Sequence, residues 1–295
     1  MAAASASAQQ PPVVMPPPPK PKITSSVMLW TLEGSFESRV RTAADTGLQT
    51  VELQDEYSAW DDAQLKRAKR LVGSFGMNVQ TLSATPNWQS RPVSMVNAQH
   101  REAFLSDLRN ALKTARKLES PYVLLTSGNE LPGHGREEQY ASLLEASKQA
   151  SELAAAADIT LLARPLNNKL DHKQIYLSTS AEALKLVKEV DNPHFRLLFS
   201  TYDEQVQTGN ALASLRDALE YTEVIHIAEA PGRAEPGPAS REIYRAIQKG
   251  NYTRTLGMEY KPKGGAVASL RRAIDQFRAA VNERVTPIPT ETPLV

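Results

Sequence analysis

Eight short apolar or β-branched runs recur along the chain, each closed by turn residues. They are VMLWTL at 27–32, TVELQ at 50–54, NVQTLSA at 78–84, YVLLTSG at 122–128, TLLARPL at 160–166, RLLFSTY at 196–202, EVIHIAE at 223–229 and TLGMEYK at 255–261. Each is too short for an ordinary helix, and near-continuous hydrophobicity is what a strand covered on both faces requires. Between and after them the apolar period changes to that of a helix. SFESRVRTAADTG starts at a Ser N-cap and stops at Gly47; Ser38, not Glu, stands three residues after Ser35, so no full capping box forms. NAQHREAFLSDLRNALKTARKL sets Phe104, Leu105, Leu108, Leu112 and Ala115 on one stripe. REEQYASLLEASKQASELAAAA, SAEALKLVKEV, ALASLRDALE, SREIYRAIQKG and VASLRRAIDQFRAAV behave alike.

Strand and helix alternating in this way predict an α/β fold, a single (β/α)8 TIM barrel with an outer ring of helices. A doubly wound open sheet is the alternative, and no Gly-rich phosphate fingerprint follows the first strand to support it. The expected boundaries are an Ala/Pro-rich disordered leader over 1–24, the barrel over 25–284 and an extended tail over 285–295.

Composition narrows the chemistry. The 34 basic and 33 acidic residues leave a net charge of +1, which favours neither nucleic acid nor an anionic membrane. No apolar run reaches the roughly 18 residues of a membrane span. The chain has no cysteine, so disulfides, thiol nucleophiles and thiolate metal sites are excluded, and a metal would need His, Asp, Glu, amides and water. ASASAQQ near the start has the small residues that end a secretory signal, without the charged and apolar segments before them. Two compartments therefore stay open: export with the signal trimmed, or the cytoplasm. Oligomeric state is open as well.

In barrels of this type chemistry sits at the C-terminal ends of the strands. That rule selects Glu52, Asp55 and Glu56 after the second strand, and Ser127, Asn129 and Glu130 after the fourth. It selects Arg164 and Asn167 after the fifth, with His172 in the following loop, and Ser200 and Asp203 after the sixth. His226 and Glu229 follow from the seventh, and Glu259 from the eighth. Trp30, Tyr57, Trp88, Glu52 and Glu56 are candidates for lining the mouth. His100, His134 and His194 are expected to be solvated.

Four segments, WTLEGSFESRVRTAADTGLQTVEL, RPLNNKLDH…YLSTS, HIAEAPGRAEPG and GMEYKP, resemble the sugar isomerase/epimerase superfamily of xylose-isomerase-like TIM barrels, most closely the hydroxypyruvate isomerases, over roughly residues 27–282. The resemblance implies one divalent cation held by a Glu on the fifth strand, an Asp on the sixth, a His or Gln on the seventh and a Glu on the eighth. That cation would chelate a small hydroxy-carbonyl substrate while two glutamates move a proton through an enediolate. Of that set only His226 and Glu259 remain. The fifth-strand Glu is Arg164 in RPLN; on the sixth, STYD puts Ser200 at the Asp and Asp203 at the His. The substrate-side Arg233 and His172 persist, and the loop after PGRAEPG is shortened.

Arginine neither ligates a metal nor accepts a proton at usable pH. At ~4 Å it would repel a dication by about 8 kcal/mol at an effective dielectric near 20, twice the figure for two unit charges. Two remaining ligands do not make a Mg²⁺ or Mn²⁺ site unless Asp203 or Glu229 repairs it. Arg164 is therefore expected to stand in for the cation among Glu259 and Asp203.

Two functions follow from this. In one, the chain binds a small sugar or hydroxy-carbonyl compound, with ordinary metal-dependent isomerisation lost. In the other, it is an isomerase with a repaired or absent metal site, Glu259 as acid/base and Arg164 and His226 on the developing oxyanion. Arg233, His172, Asp203, Ser200, Asn167 and Glu229 would contact the ligand in either case.

Overall fold

A computed structural model of the chain describes residues 23–282. The leader, tail and compartment expectations concern segments that lie largely outside those residues. Eight strands close a parallel barrel in sequence order: β1 (Thr24–Met28), β2 (Thr50–Leu53), β3 (Asn78–Ser83), β4 (Tyr122–Leu125), β5 (Thr160–Ala163), β6 (Phe195–Ser200), β7 (Thr222–Ile227) and β8 (Thr255–Met258). β8 pairs back onto β1 with Ser26 opposite Gly257. The helices are α1 (Phe36–Asp45), α2 (Asp62–Ser74), α3 (Arg101–Leu118), α4 (Arg136–Ala157), α5 (Ser180–Val190), α6 (Thr201–Thr208), α7 (Ala211–Ala218), α8 (Pro238–Lys249) and α9 (Ala266–Asn282).

The two-residue period of the strands sorts the interior. Val27, Val51, Val123, Leu161, Leu197, Ile225 and Leu256 point outward into the large core shared with the helices. Met28, Leu124, Leu162, Leu198 and Val224 form a separate apolar layer inside the barrel. The inward positions one step toward the C-terminal mouth on β5 to β8 are Arg164, Ser200, His226 and Glu259, so this strand parity delivers four polar side chains to one level above an apolar floor.

Several expected boundaries are corrected. The first strand is not 27–32 but starts at Thr24 and ends at Met28, because residues 29–31 turn into a 3-10 helix. Thr31 Oγ1 donates to the Met28 carbonyl at 2.7 Å and fixes that turn. The sixth strand ends at Ser200, where the run to 202 suggested more strand. Ser200 Oγ accepts from Asp203 N–H, capping α6. α2 carries a full capping box, Asp61 with Gln64, and buries Leu65, Ala68 and Val72, yet its charged sequence gave no expectation of a helix. Ser35 caps α1 as expected.

Candidate functional site

The strand ends build a buried cluster of six charged groups. Arg164 continues inward from β5 and is 7% exposed, and its Nη2 donates to Glu259 Oε1. Glu259 follows β8, fully enclosed. Its other oxygen accepts from Arg233 Nη1 at 2.8 Å and lies 3.3 Å from His226 Nδ1. His226 Nε2 lies 2.9 Å from Glu52 Oε2. Glu52, in the middle of β2, also accepts from Ser26 at 2.5 Å and Thr81 at 2.7 Å. Arg233 Nη2 reaches both oxygens of Asp203, at 3.1 and 3.2 Å.

The protonation states follow from these contacts. Burial alone would lower His226, but Glu52 and Glu259 on either side outweigh it and push its pKa up to about 9. Burial would raise Glu259, yet the charges of Arg164, Arg233 and His226 hold it well below the ordinary carboxylate value. Glu52 is lowered too, His226 and its two hydroxyl donors prevailing over burial. At neutral pH the cluster is three cations, Arg164, Arg233 and His226, against three anions, Glu52, Glu259 and Asp203. This balance is what lets so many charges stay buried.

Arg233 is positioned by the loop after β7. Reciprocal backbone bonds between Glu229 and Ala234, 2.9 and 2.7 Å, close that loop, and Arg233 itself adopts a left-handed φ of 51°. Its guanidinium stacks 4.3 Å above the Tyr202 ring. Above the cluster opens a cavity of about 430 Å³, with Arg164 and Arg233 at its base and Trp30, Trp88, Tyr202 and His172 on its walls. His172 is held neutral at physiological pH: burial lowers its pKa, and Arg164 and Arg233 lower it further against the pull of Asp203.

The expected site residues therefore divide. Arg164, Arg233 and His172 face the cavity; Glu259 and His226 lie beneath the guanidinium layer. Asp203 and Ser200 bond each other, Ser200 Oγ donating at 2.8 Å, and Asn167 Nδ2 donates to Asp203 at 2.6 Å. Asn167 also organises the loop after β5, its Oδ1 accepting from Leu170 and Asp171 N–H. Glu229 is turned away, accepting from Gly237 N–H, Ser240 N–H and Ser240 Oγ at the start of α8.

The guanidinium that joins Glu259 to Asp203 is that of Arg233; Arg164 meets Glu259 alone. Glu52 is not a mouth residue but a fully buried one, because period two turns it inward. Tyr57 donates to the Ser83 carbonyl, and Glu56 accepts from Gln54 N–H at 2.7 Å. Trp30 and Trp88 do line the cavity. Asp55, selected at the end of the second strand, lines it as well; Asp171, Tyr202 and Lys261 reach it too and were missed, since only proximity to the strand ends pointed to them.

A divalent metal does not fit this donor set. His226 has a carboxylate facing each ring nitrogen, Glu259 faces three cations, and Ser200 is spent on Asp203. Among the described residues no group of three or more His, Asp or Glu is arranged to hold an ion.

The family model of the xylose isomerase-like TIM barrel matches residues 40–280. The chain belongs to this family. Its sequence is 26% identical to the putative hydroxypyruvate isomerase of Homo sapiens over 243 residues, covering 79% of this chain and 86% of that one. It is 26% identical to the hydroxypyruvate isomerase of Escherichia coli over 246 residues, 81% of this chain and 93% of that one. Among solved structures, the family 2 AP endonuclease of Brucella melitensis superposes with a TM-score of 0.77 at 22% identity, over 86% of this chain and 98% of that one. No helix among the described residues is long and apolar enough to cross a membrane.

Proposed function

We propose that this barrel binds a small sugar or hydroxy-carbonyl compound in the cavity above Arg164 and Arg233 and does not run the metal-dependent isomerisation that the family resemblance implies. The observation that carries this reading is the state of Glu259. A general base must reach the proton it abstracts. Glu259 is 1% exposed, does not line the cavity and is held as a weakly basic carboxylate by three cations. Its partner base in a two-carboxylate mechanism is Arg164, which accepts no proton. Aromatic walls and convergent polar groups over a preformed cavity support binding.

The test pairs titration with turnover. Hydroxypyruvate and small ketoses should bind, and adding Mg²⁺ or Mn²⁺ should produce no isomerisation. Metal-stimulated turnover would instead favour an active isomerase working through Glu259. The triple variant R164E/S200D/D203H should gain Mn²⁺ affinity at least tenfold; no gain would refute the residue correspondence.

A further inference from the structure

We infer that the ligand is anchored by a carboxylate rather than by its carbonyl, and that Arg164 is the receptor; this rests on the proposed binding reading. Arg164 is more than nine-tenths buried, lines the cavity and makes its one side-chain hydrogen bond among the described residues through Nη2, to Glu259. Its Nε is buried and has no acceptor there. Trp30, on the wall of the same cavity, likewise buries an indole Nε1–H with no acceptor. Both groups are donors only, so each unmatched N–H costs free energy that an incoming oxygen acceptor would relieve. Arg233 differs: its two terminal nitrogens are already committed to Glu259 and Asp203.

The chemistry of the anchor follows. A dication recognises a carbonyl oxygen and its neighbouring hydroxyl by chelation; a guanidinium recognises planar two-oxygen anions through parallel N–H bonds. With Arg164 at the fifth strand end, the group best matched is a carboxylate, and Lys261 on the cavity wall adds a positive charge beyond those of Arg164 and Arg233. The oxidation state of the adjacent carbon then ceases to matter. A reduced 2-hydroxy acid, which has no carbonyl to isomerise, satisfies the same donors as a 2-oxo acid. A neutral hydroxy-ketone of the same size does not.

Calorimetric titration of the full chain in buffer stripped of divalent ions tests this with three probes: hydroxypyruvate, glycerate and dihydroxyacetone. The two acids should bind within about threefold of each other, and dihydroxyacetone at least tenfold more weakly. R164Q should weaken both acids at least tenfold. R164Q/E259Q, which removes the carboxylate along with its partner, should do the same if the single variant does not fold. Dihydroxyacetone binding as tightly as the acids, or acids binding unchanged to either variant, would overturn the anchor while leaving the cavity a binding site. If no probe binds, the broader binding reading falls with it.

Discussion

His226 sits between two carboxylates in a place where water cannot reach, and its proton is what keeps both of them tolerable. Its pKa rises from 6.5 to about 9 on folding. The stability it contributes is complete below pH 6.5 and is lost as pH rises through 9. Glu259 and Glu52 are lowered from 4.5, so theirs is complete above that value and lost as pH falls below it. Stability measured by urea denaturation should therefore be flat between about pH 5 and 6.5 and decline toward pH 9; in H226Q the alkaline decline should disappear. Glu52→Gln should cost about 3 kcal/mol, the low end for breaking a buried pair, because His226 keeps Glu259 as a neighbour and can shed its proton. A loss under 1 kcal/mol in that denaturation experiment would mean that Glu52 is not a principal partner. Arg164, His226, Arg233 and Glu259 were legible in the sequence because each stands at or just after a strand end beside a quotable motif. Glu52 was misplaced for a physical reason: the run TVELQ does not reveal which of its residues faces inward until register is known.

At the level of elements, Gly257 is what lets β8, paired with β1 and β7, carry the Glu52 side chain of β2 against its inner face. A Cβ there would collide with Glu52 Oε1 and come within 2.8 Å of His226 Cδ2 and 2.9 Å of Ser26 Oγ. Gly257→Ala should destabilise the barrel by about 1–3 kcal/mol through overpacking, read as a lower urea midpoint with the denaturant slope unchanged. A neutral result would contradict the packing of this polar layer. Strand existence was readable from apolar runs, and α4 and α5 were read to the residue. Strand ends were not. The loops after β4, β5 and β7 are themselves buried, so hydrophobicity continued past the last ladder bond. α2 and α6 hid for other reasons: α2 is heavily charged, and α6 begins directly where β6 stops.

Across the whole molecule, the chain keeps the closed eight-stranded barrel of its family. At its mouth Arg164 and Arg233 roof Glu259, beneath an aromatic-walled cavity. The fold and family were visible from alternation and motif. The Arg164–Glu259 pair was expected, but the pairing of His226 with Glu52 and of Arg233 with Asp203 was not, because it depends on side chains brought together from distant positions in the chain. The most direct test of this account is equilibrium dialysis of the purified protein against Mn²⁺, followed by elemental analysis. We expect well under 0.1 equivalent of metal per chain at micromolar free Mn²⁺, where an ion would have to displace paired guanidinium groups. One equivalent of tightly held Mn²⁺, lost in H226A or E259Q, would contradict it.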